Sequence, residues 1–407
     1  MRKTLVAGVA LILLLAGCGS KGAATNTNQP SGTLTLGASM SLTGSLAREG
    51  LLTKEGYDVC VNVVNGKGGV QVGGQKLKLN IKYQDDASKP DTAAQIVDQF
   101  NDQGIKLILG PYGSGTTAAT AAVVERNGQV MADSSGADDA IFTKGYKRTF
   151  AVLSPATLYA TSILQAISEL ASPKPKTVAF ISADDGFSKT ATAAASTKAT
   201  ALGFSVVDTE FVPNGTSDVS SALTKIKPKN PDVIIGSAHL AEGVAIIKQS
   251  AELGVKPAGG FGETVAPPTP DFVQALGPAA NGVLGSTQWT VKTPGQDQWF
   301  GTAADYAATF AKQFNGRQPE YHGAEATAAC LAFVLAVTKA GTTNPGNVRD
   351  ALAGLDEQTF FGPLKFTATG QNLTKSMGVI QVQNGKAVAV WPQQAAEAPL
   401  IWPGSKG

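Results

Sequence analysis

The stretch ILGPYGSGTT, residues 108–117, runs an apolar strand-like segment into a loop with glycines at 110, 113 and 115, then into hydroxyl-bearing residues and an alanine-rich helical stretch. Glycine lets backbone approach a ligand closely, and the first turn of a helix offers N–H groups without intrahelical partners, so the loop is expected to hold an anion. Phosphate, a carboxylate and a nucleophilic serine all remain open on this ground. The segment IKLILG (105–110) is short and almost continuously apolar, as a buried parallel strand should be.

Strands and helices alternate on either side of it. TLTLGASMSL (33–42) reads as a strand, and GLLTKEGYDVCVNVVNGKGG (50–69) as a helix with Leu52, Val59, Cys60 and Val63 on one stripe, closed by glycine. KLKLNIKYQDD (76–86) alternates Leu77, Leu79, Ile81 and Tyr83 against polar neighbours, which suits a strand with one wet face. Ser88 as N-cap and Pro90 in the first turn are expected to open a helix that buries Ile96, Val97 and Phe100. The rhythm restarts at Lys176: TVAFISADD, a helix over 188–202, FSVVDTEFV, a helix near 218–227, PDVIIGSA, a helix from Ala241 to Leu253, and AGGFGET. Two βαβ series in 407 residues predict an α/β protein of two doubly wound, parallel-sheet lobes with helices on both faces. Helical stretches follow at about 298–315 and 323–340, then a helix opened by Asn344 and Pro345. The tail MGVIQVQNGKAVAVW reads as a hairpin turning at Asn384-Gly385.

The N-terminus, MRKTLVAGVALILLLAGCGS, has the form of a secretory signal peptide over residues 1–17, and its apolar run from Leu5 to Ala16 falls short of the roughly 20 residues a bilayer span requires. LAGC, residues 15–18, resembles a bacterial lipobox, so Cys18 is expected to become the lipidated first residue, anchoring the protein to the membrane by multiple acyl chains. Small and polar residues up to 32 form a flexible tether, which leaves the body in the cell envelope, outside the cytoplasm. That compartment permits a disulfide between Cys60 and Cys330; two buried free thiols are the alternative. With 33 basic and 31 acidic residues spread along the chain, no footprint of a nucleic-acid binder is present.

Enzyme chemistry finds little support. His239 and His322 are the only histidines, and neither sits in a metal-ligand pattern, so no metal site is expected. PYGSGT lacks the G-x-S-x-G spacing of a nucleophile elbow, which counts against Ser114 as a nucleophile. GPYGSG has neither the dinucleotide spacing nor a following Gly-Lys-Ser/Thr. The pairs Asp85-Asp86, Asp138-Asp139 and Asp184-Asp185 near strand ends could serve a glycosidase, although loop solvation is the commoner cause. Binding without chemistry fits better: an exported two-lobed chain with polar strand ends in both lobes can close around a solute.

In order along the chain, SLTGSLAREG, NGKGGVQVGGQKLKL, YQDDASKPDTAAQ, ILGPYGSGTT, FISADDGFSKT, NPDVIIGSAHLAEG, IKQSAELGV and ALAGL with GPLKF resemble the leucine/isoleucine/valine-binding branch of ABC-transporter substrate-binding proteins. The resemblance implies the type I periplasmic-binding fold: lobe I from 33–152 plus 289–358, lobe II from 153–288 plus 359–403, with three crossings near 151–155, 286–292 and 358–366. It implies a monomer without cofactor or catalysis, which captures a small amino acid, branched-chain or related, and delivers it to an ABC permease. By the same resemblance Ser114 would hold the ligand carboxylate through neutral donors, with Gly136 and Asp138 on the head group. From the second lobe Phe187 would cover the ligand, His239 stand near a family tyrosine, and Glu263 pair with an ammonium. Asp138 replaces a threonine, and Arg48 and Glu49 stand where an aromatic is common. These departures keep two alternatives in play: a receptor for an amide, urea-like compound or aromatic carboxylate, or a ligand sensor not coupled to transport.

Overall fold

The computed structural model describes residues 32–404. The signal peptide, Cys18 and the tether as far as residue 31 lie outside the described residues. The first sheet contains β1 (Gly32–Met40), β2 (Val70–Val72), β3 (Gln75–Asp85), β4 (Leu107–Leu109), β5 (Val130–Asp133) and β6 (Thr149–Ala151). Its order is β2-β3-β1-β4-β5-β6, parallel throughout except for the β2–β3 hairpin. The intervening helices are α1 (Ala47–Gly66), α2 (Pro90–Asp102) and α3 (Ser114–Asn127). A second series follows: α4 (Tyr159–Leu170), β7 (Thr177–Ala183), α5 (Gly186–Ala201), β8 (Ser205–Val212), α6 (Ser220–Ile226), β9 (Val233–Ser237), α7 (Leu240–Leu253), β10 (Gly260–Glu263), α8 (Pro270–Leu276) and β11 (Leu284–Thr287). The chain then returns to the first lobe as a ribbon, β12 (Gln296–Asp297) and β13 (Gly301–Thr302), helices α9 (Ala303–Gln313), α10 (Tyr321–Ala340) and α11 (Pro345–Ala353), and a second ribbon, β14 (Asp356–Thr359) and β15 (Gly362–Lys365). It ends in lobe II with β16 (Gly378–Gln383) and β17 (Lys386–Trp391), giving the order β17-β16-β11-β10-β9-β7-β8.

The core of lobe I forms where α1 lies against α10. Leu52, Val59, Cys60 and Val64 of α1 are buried, and α10 is buried along almost its whole length. Glycine permits the approach: a Cβ at Gly56 would collide with the Gly323 carbonyl. Cys60 and Cys330 are bonded to each other, clamping the two helices across 270 residues of sequence. The tail hairpin turns where expected, with Asn384 and Gly385 both at positive φ (52° and 73°), as a tight hairpin turn requires.

Local expectations fail in instructive places. Ser88 is not an N-cap: at φ 60° its hydroxyl donates to the Thr43 carbonyl and accepts from Leu46 N–H, bracing the β1–α1 loop, and Lys89 precedes Pro90 at the helix start. The stretch from 298 is not helical until Ala303, because Thr302 and Asp305 form a reciprocal capping box there. Helix α4, absent from the sequence reading, packs Ile163, Leu164 and Ile167 into lobe II.

The third crossing also runs later than 358–366. Phe360, Phe361, Leu364 and Phe366 share the apolar core of α1 and α10, and Gly370 accepts a hydrogen bond from Ala151 N–H, so residues 359–371 stay with lobe I. The three crossings are bonded to one another. Ser154 N–H donates to Gln288 Oε1, Gln288 Nε2 donates to the Ser154 carbonyl, Ser154 Oγ donates to the Lys375 carbonyl, and Lys375 Nζ donates to the Gln288 carbonyl. Burial lowers the Lys375 ammonium pKa to about 7, with Glu325 opposing the shift.

Closing so long a loop removes much entropy from the unfolded chain. Replacing both Cys60 and Cys330 by alanine should therefore cost about 2–5 kcal/mol in denaturant unfolding, and the denatured wild type should expose neither thiol to titration. Unchanged stability, or two titratable thiols, would contradict the clamp.

Candidate functional site

Both sheets point the carboxyl ends of their strands at the seam between the lobes, where an open α/β sheet binds ligands. A cavity of about 20 Å³ lies there, closed down to about the volume of one water. Lobe I contributes Tyr112, Gly113 and Ser114 from the start of α3 and Ser135 from the end of β5. Lobe II contributes Tyr159 from the start of α4, Phe187 from α5, His239 from the N-cap of α7, and Val265 just past β10. Tyr321, His322 and Glu325 come from one face of α10. A solute larger than water enters only with the lobes further apart.

The residues expected from sequence divide. Ser114, Phe187 and His239 line the cavity. Gly113 has φ 91°, so glycine chemistry opens the loop, and Ser114 Oγ accepts a 3.1 Å bond from Asp138 N–H. Gly136 stands one residue back from the wall. Its N–H donates to the Asp133 carboxylate, and a Cβ there would strike Thr117. Asp138 does not face the cavity: it accepts from Ala140 N–H at 3.1 Å and from Thr190 Oγ1 at 2.9 Å, the latter across the seam on α5.

Glu263 is likewise displaced. Its carboxyl lies against Gly236 and Gly243, beneath α7, while Val265, past the end of β10, reaches the cavity. Both of its oxygens lack a hydrogen-bond partner among the described residues. Burial, reinforced by Glu242, holds this carboxyl well above the usual range, away from the cavity.

Tyr112, Ser135, Tyr159, Tyr321, His322 and Glu325 escaped the sequence reading as site residues. Legible signal existed for the last of them, an acid inside an otherwise apolar helical run, where burial is costly unless the group is used. The two imidazoles are each backed by an acid. His322 Nδ1 lies 2.5 Å from Glu320 Oε2, and Glu320 is held below its ordinary range, burial being outweighed by His322 and by the His322 and Gly323 N–H groups. His239 Nε2 lies 3.2 Å from Asp185 Oδ2, with Nδ1 3.3 Å from the Tyr112 hydroxyl. Burial disfavours the His239 imidazolium, but Asp185, then Glu242 and Glu49, outweigh it and raise the pKa to about 9. The Glu325 carboxyl is pushed well above its usual range by burial, then by Glu320 and Asp133.

The lobes are latched by polar contacts that exist only when closed. Glu49, buried on α1, accepts a 3.1 Å bond from Leu240 N–H and so caps α7 from the opposite lobe. Arg48 Nε meets Asp271 Oδ2 at 2.6 Å with both side chains about one-third exposed. The exposed pair is worth at most about 1 kcal/mol, whereas a buried carboxylate on a helix N-terminus contributes up to about 2 kcal/mol.

Glu49→Ala should therefore shift the closed-to-open ratio about 5- to 30-fold toward open, read as a larger radius of gyration in solution scattering. An unchanged scattering profile would contradict the latch. The His239–Asp185 pair sets a second expectation. The His239 pKa rises from 6.5 to about 9, so its stabilisation is complete below the lower value and lost as pH climbs through the upper one. Asp185 is held below 3.8, burial being outweighed by His239, so its share is present above that value and fades as pH falls through its folded pKa. The stability gap between wild type and His239→Gln in urea unfolding should thus narrow from near pH 6.5 to about pH 10. A constant gap would show the pair contributes nothing.

A family model described as periplasmic binding protein matches residues 33–387. Among curated relatives, Leu/Ile/Val-binding protein homolog 3 of Brucella melitensis is 24% identical over 367 residues, covering 88% of this chain and 93% of the relative. Among solved structures, the branched-chain amino acid transporter substrate binding protein of Streptococcus pneumoniae in complex with isoleucine superposes with a TM-score of 0.76 at 22% identity, covering 91% of this chain and all of that one. The Rhodopseudomonas palustris solute binding protein in complex with benzoate gives 0.74 at 18% identity, covering 91% and 98%. Similarity at these identities establishes the shared two-lobed fold, and with the family model spanning nearly all of the described chain, this chain belongs to the periplasmic binding protein family.

Proposed function

We propose that this chain is the extracytoplasmic solute-binding receptor of an ABC importer, which captures a small amino acid, branched-chain or related, between its lobes and delivers it to a permease. The observation that carries the reading is the closed, buried cavity at the strand ends, walled by both lobes and latched across the seam. The name of the Brucella relative and the isoleucine complex support the amino-acid class. Ser114 and the first N–H groups of α3 would hold the carboxylate, with Phe187 and His239 closing from lobe II. Gly136 keeps the β5 loop tight behind Ser135, and Asp138 acts in the latch. Cys18, within LAGC, would carry the lipid that anchors a monomeric receptor near its permease.

One observation favours a second reading, an aromatic carboxylate. Tyr112, Tyr159, Phe187 and Tyr321 give the cavity an aromatic wall, and the benzoate complex is a structural neighbour. Either solute would use the same Ser114 end.

Thermal unfolding of a soluble form beginning after Cys18, screened against the common amino acids, amides and benzoates, separates the two. A solute at 100 times its Kd adds about 2.7 kcal/mol and should raise Tm by a few degrees. Ser114→Ala should weaken the bound solute about 10- to 100-fold, the worth of a hydrogen bond to a charged group. A shift with benzoates alone would replace the amino-acid reading, and no shift with any of them would refute the receptor.

A further inference from the structure

We propose that Glu325, from α10 of lobe I, pairs with the cationic end of the solute, so that the cleft selects small molecules carrying a protonated amine. This rests on the cleft being the solute site. Glu325 is 1% exposed and lines the cavity. Its Oε1 accepts a long 3.4 Å bond from Ser135 Oγ, and its Oε2 has no partner among the described residues. A buried carboxyl oxygen without a donor is costly, and an ammonium brings three donors to the one wall that lacks them.

Its neighbours are already satisfied. Glu320 is held by His322, Asp185 by His239, and Asp133 by the N–H groups of Ser135 and Gly136. No Lys or Arg lines the cavity among the described residues. Lys375 acts on Glu325 only through space, since its Nζ donates to the Gln288 carbonyl and sits 4.4 Å over the Phe361 ring. The aromatic wall suits a cation as well, because ring faces attract positive charge. Ser114 and the start of α3 remain for a carboxylate, and His322 Nε2 is likewise without a partner among the described residues. The cleft is thus built for a molecule with both ends.

A proton balance follows. The groups bearing on Glu325 are Glu320 at the N-cap of its own helix and Tyr321 in its first turn, Asp133 at the end of β5, Tyr57 on α1, Tyr112 just before α3, Tyr159 on α4 and Lys375 on the third crossing. In the closed, solute-free cleft burial and the nearby acids push the Glu325 carboxyl well above its usual range, toward the protonated form. An arriving ammonium ionises it, and the carboxyl proton leaves to solvent.

Titration calorimetry tests this with L-leucine and L-phenylalanine against their des-amino counterparts, 4-methylpentanoate and 3-phenylpropanoate, on wild type and Glu325→Gln, in buffers of differing protonation enthalpy. The amino acids should bind wild type with release of close to one proton, and Glu325→Gln should lose about 30-fold or more for them while leaving the des-amino acids nearly unchanged. The wild-type proton count stands even if the variant folds poorly. Des-amino acids binding wild type as tightly as the amino acids, without proton release, would overturn the role of Glu325 and leave the receptor intact. Failure of all four to bind would overturn the role of Glu325 together with the amino-acid reading on which it rests.

Discussion

Carboxylates removed from water must find a counter-group, and the seam between the two lobes gathers an unusual number of them. Asp185 and Glu320 are each matched by an imidazole. Glu49 finds the N-terminus of α7, and Asp133 finds backbone N–H groups whose help leaves its pKa at about 6 against the pull of burial. Glu263 and Glu325 find almost nothing, and burial pushes both carboxyls well above the ordinary range. One of these two lies under a helix, away from the seam, while the other faces the cavity. That difference in placement, more than the count of acids, gives the cleft its chemistry.

Closure and charge satisfaction are the same event here. Glu49 is capped only when lobe II arrives, and Asp138 meets Thr190 only across the seam. The three crossings are tied to one another through Ser154, Gln288 and Lys375. A cavity closed to the volume of one water means that an empty closed form competes with the solute, so affinity depends on how far the latch favours closure without it.

The βαβ rhythm, the buried strand ILG, the tail hairpin and the helix faces were legible because each depends on neighbours within a few residues. The glycine loop ahead of α3 could be read for the same reason, whereas Ser114 as a ligand group came only with the family resemblance. Ser88, Asp138 and Glu263 could not: the partner that decides each orientation, the Thr43 carbonyl, Thr190 or the space under α7, lies far off in sequence. The third crossing was misplaced because Phe360 and Phe361 look like strand residues of either lobe until α1 and α10 are brought together by packing and by the Cys60–Cys330 bond. Glu325 was legible in kind, as an acid within an apolar helix, but its face toward the cavity came only with the fold.

The most direct test of capture by closure is a distance measured across the cleft. Spin labels on cysteines introduced at Ser45 and Asn214 would report it, since the loops bearing them meet at the rim, where a Cβ on Gly215 would lie 2.9 Å from that of Ser45. In the soluble form beginning after Cys18 the two native cysteines are bonded to each other and do not react with the label. The account predicts a long and a short population in the free protein and a shift to the short one with a bound amino acid. A single distance, unmoved by any solute that raises the unfolding temperature, would contradict it.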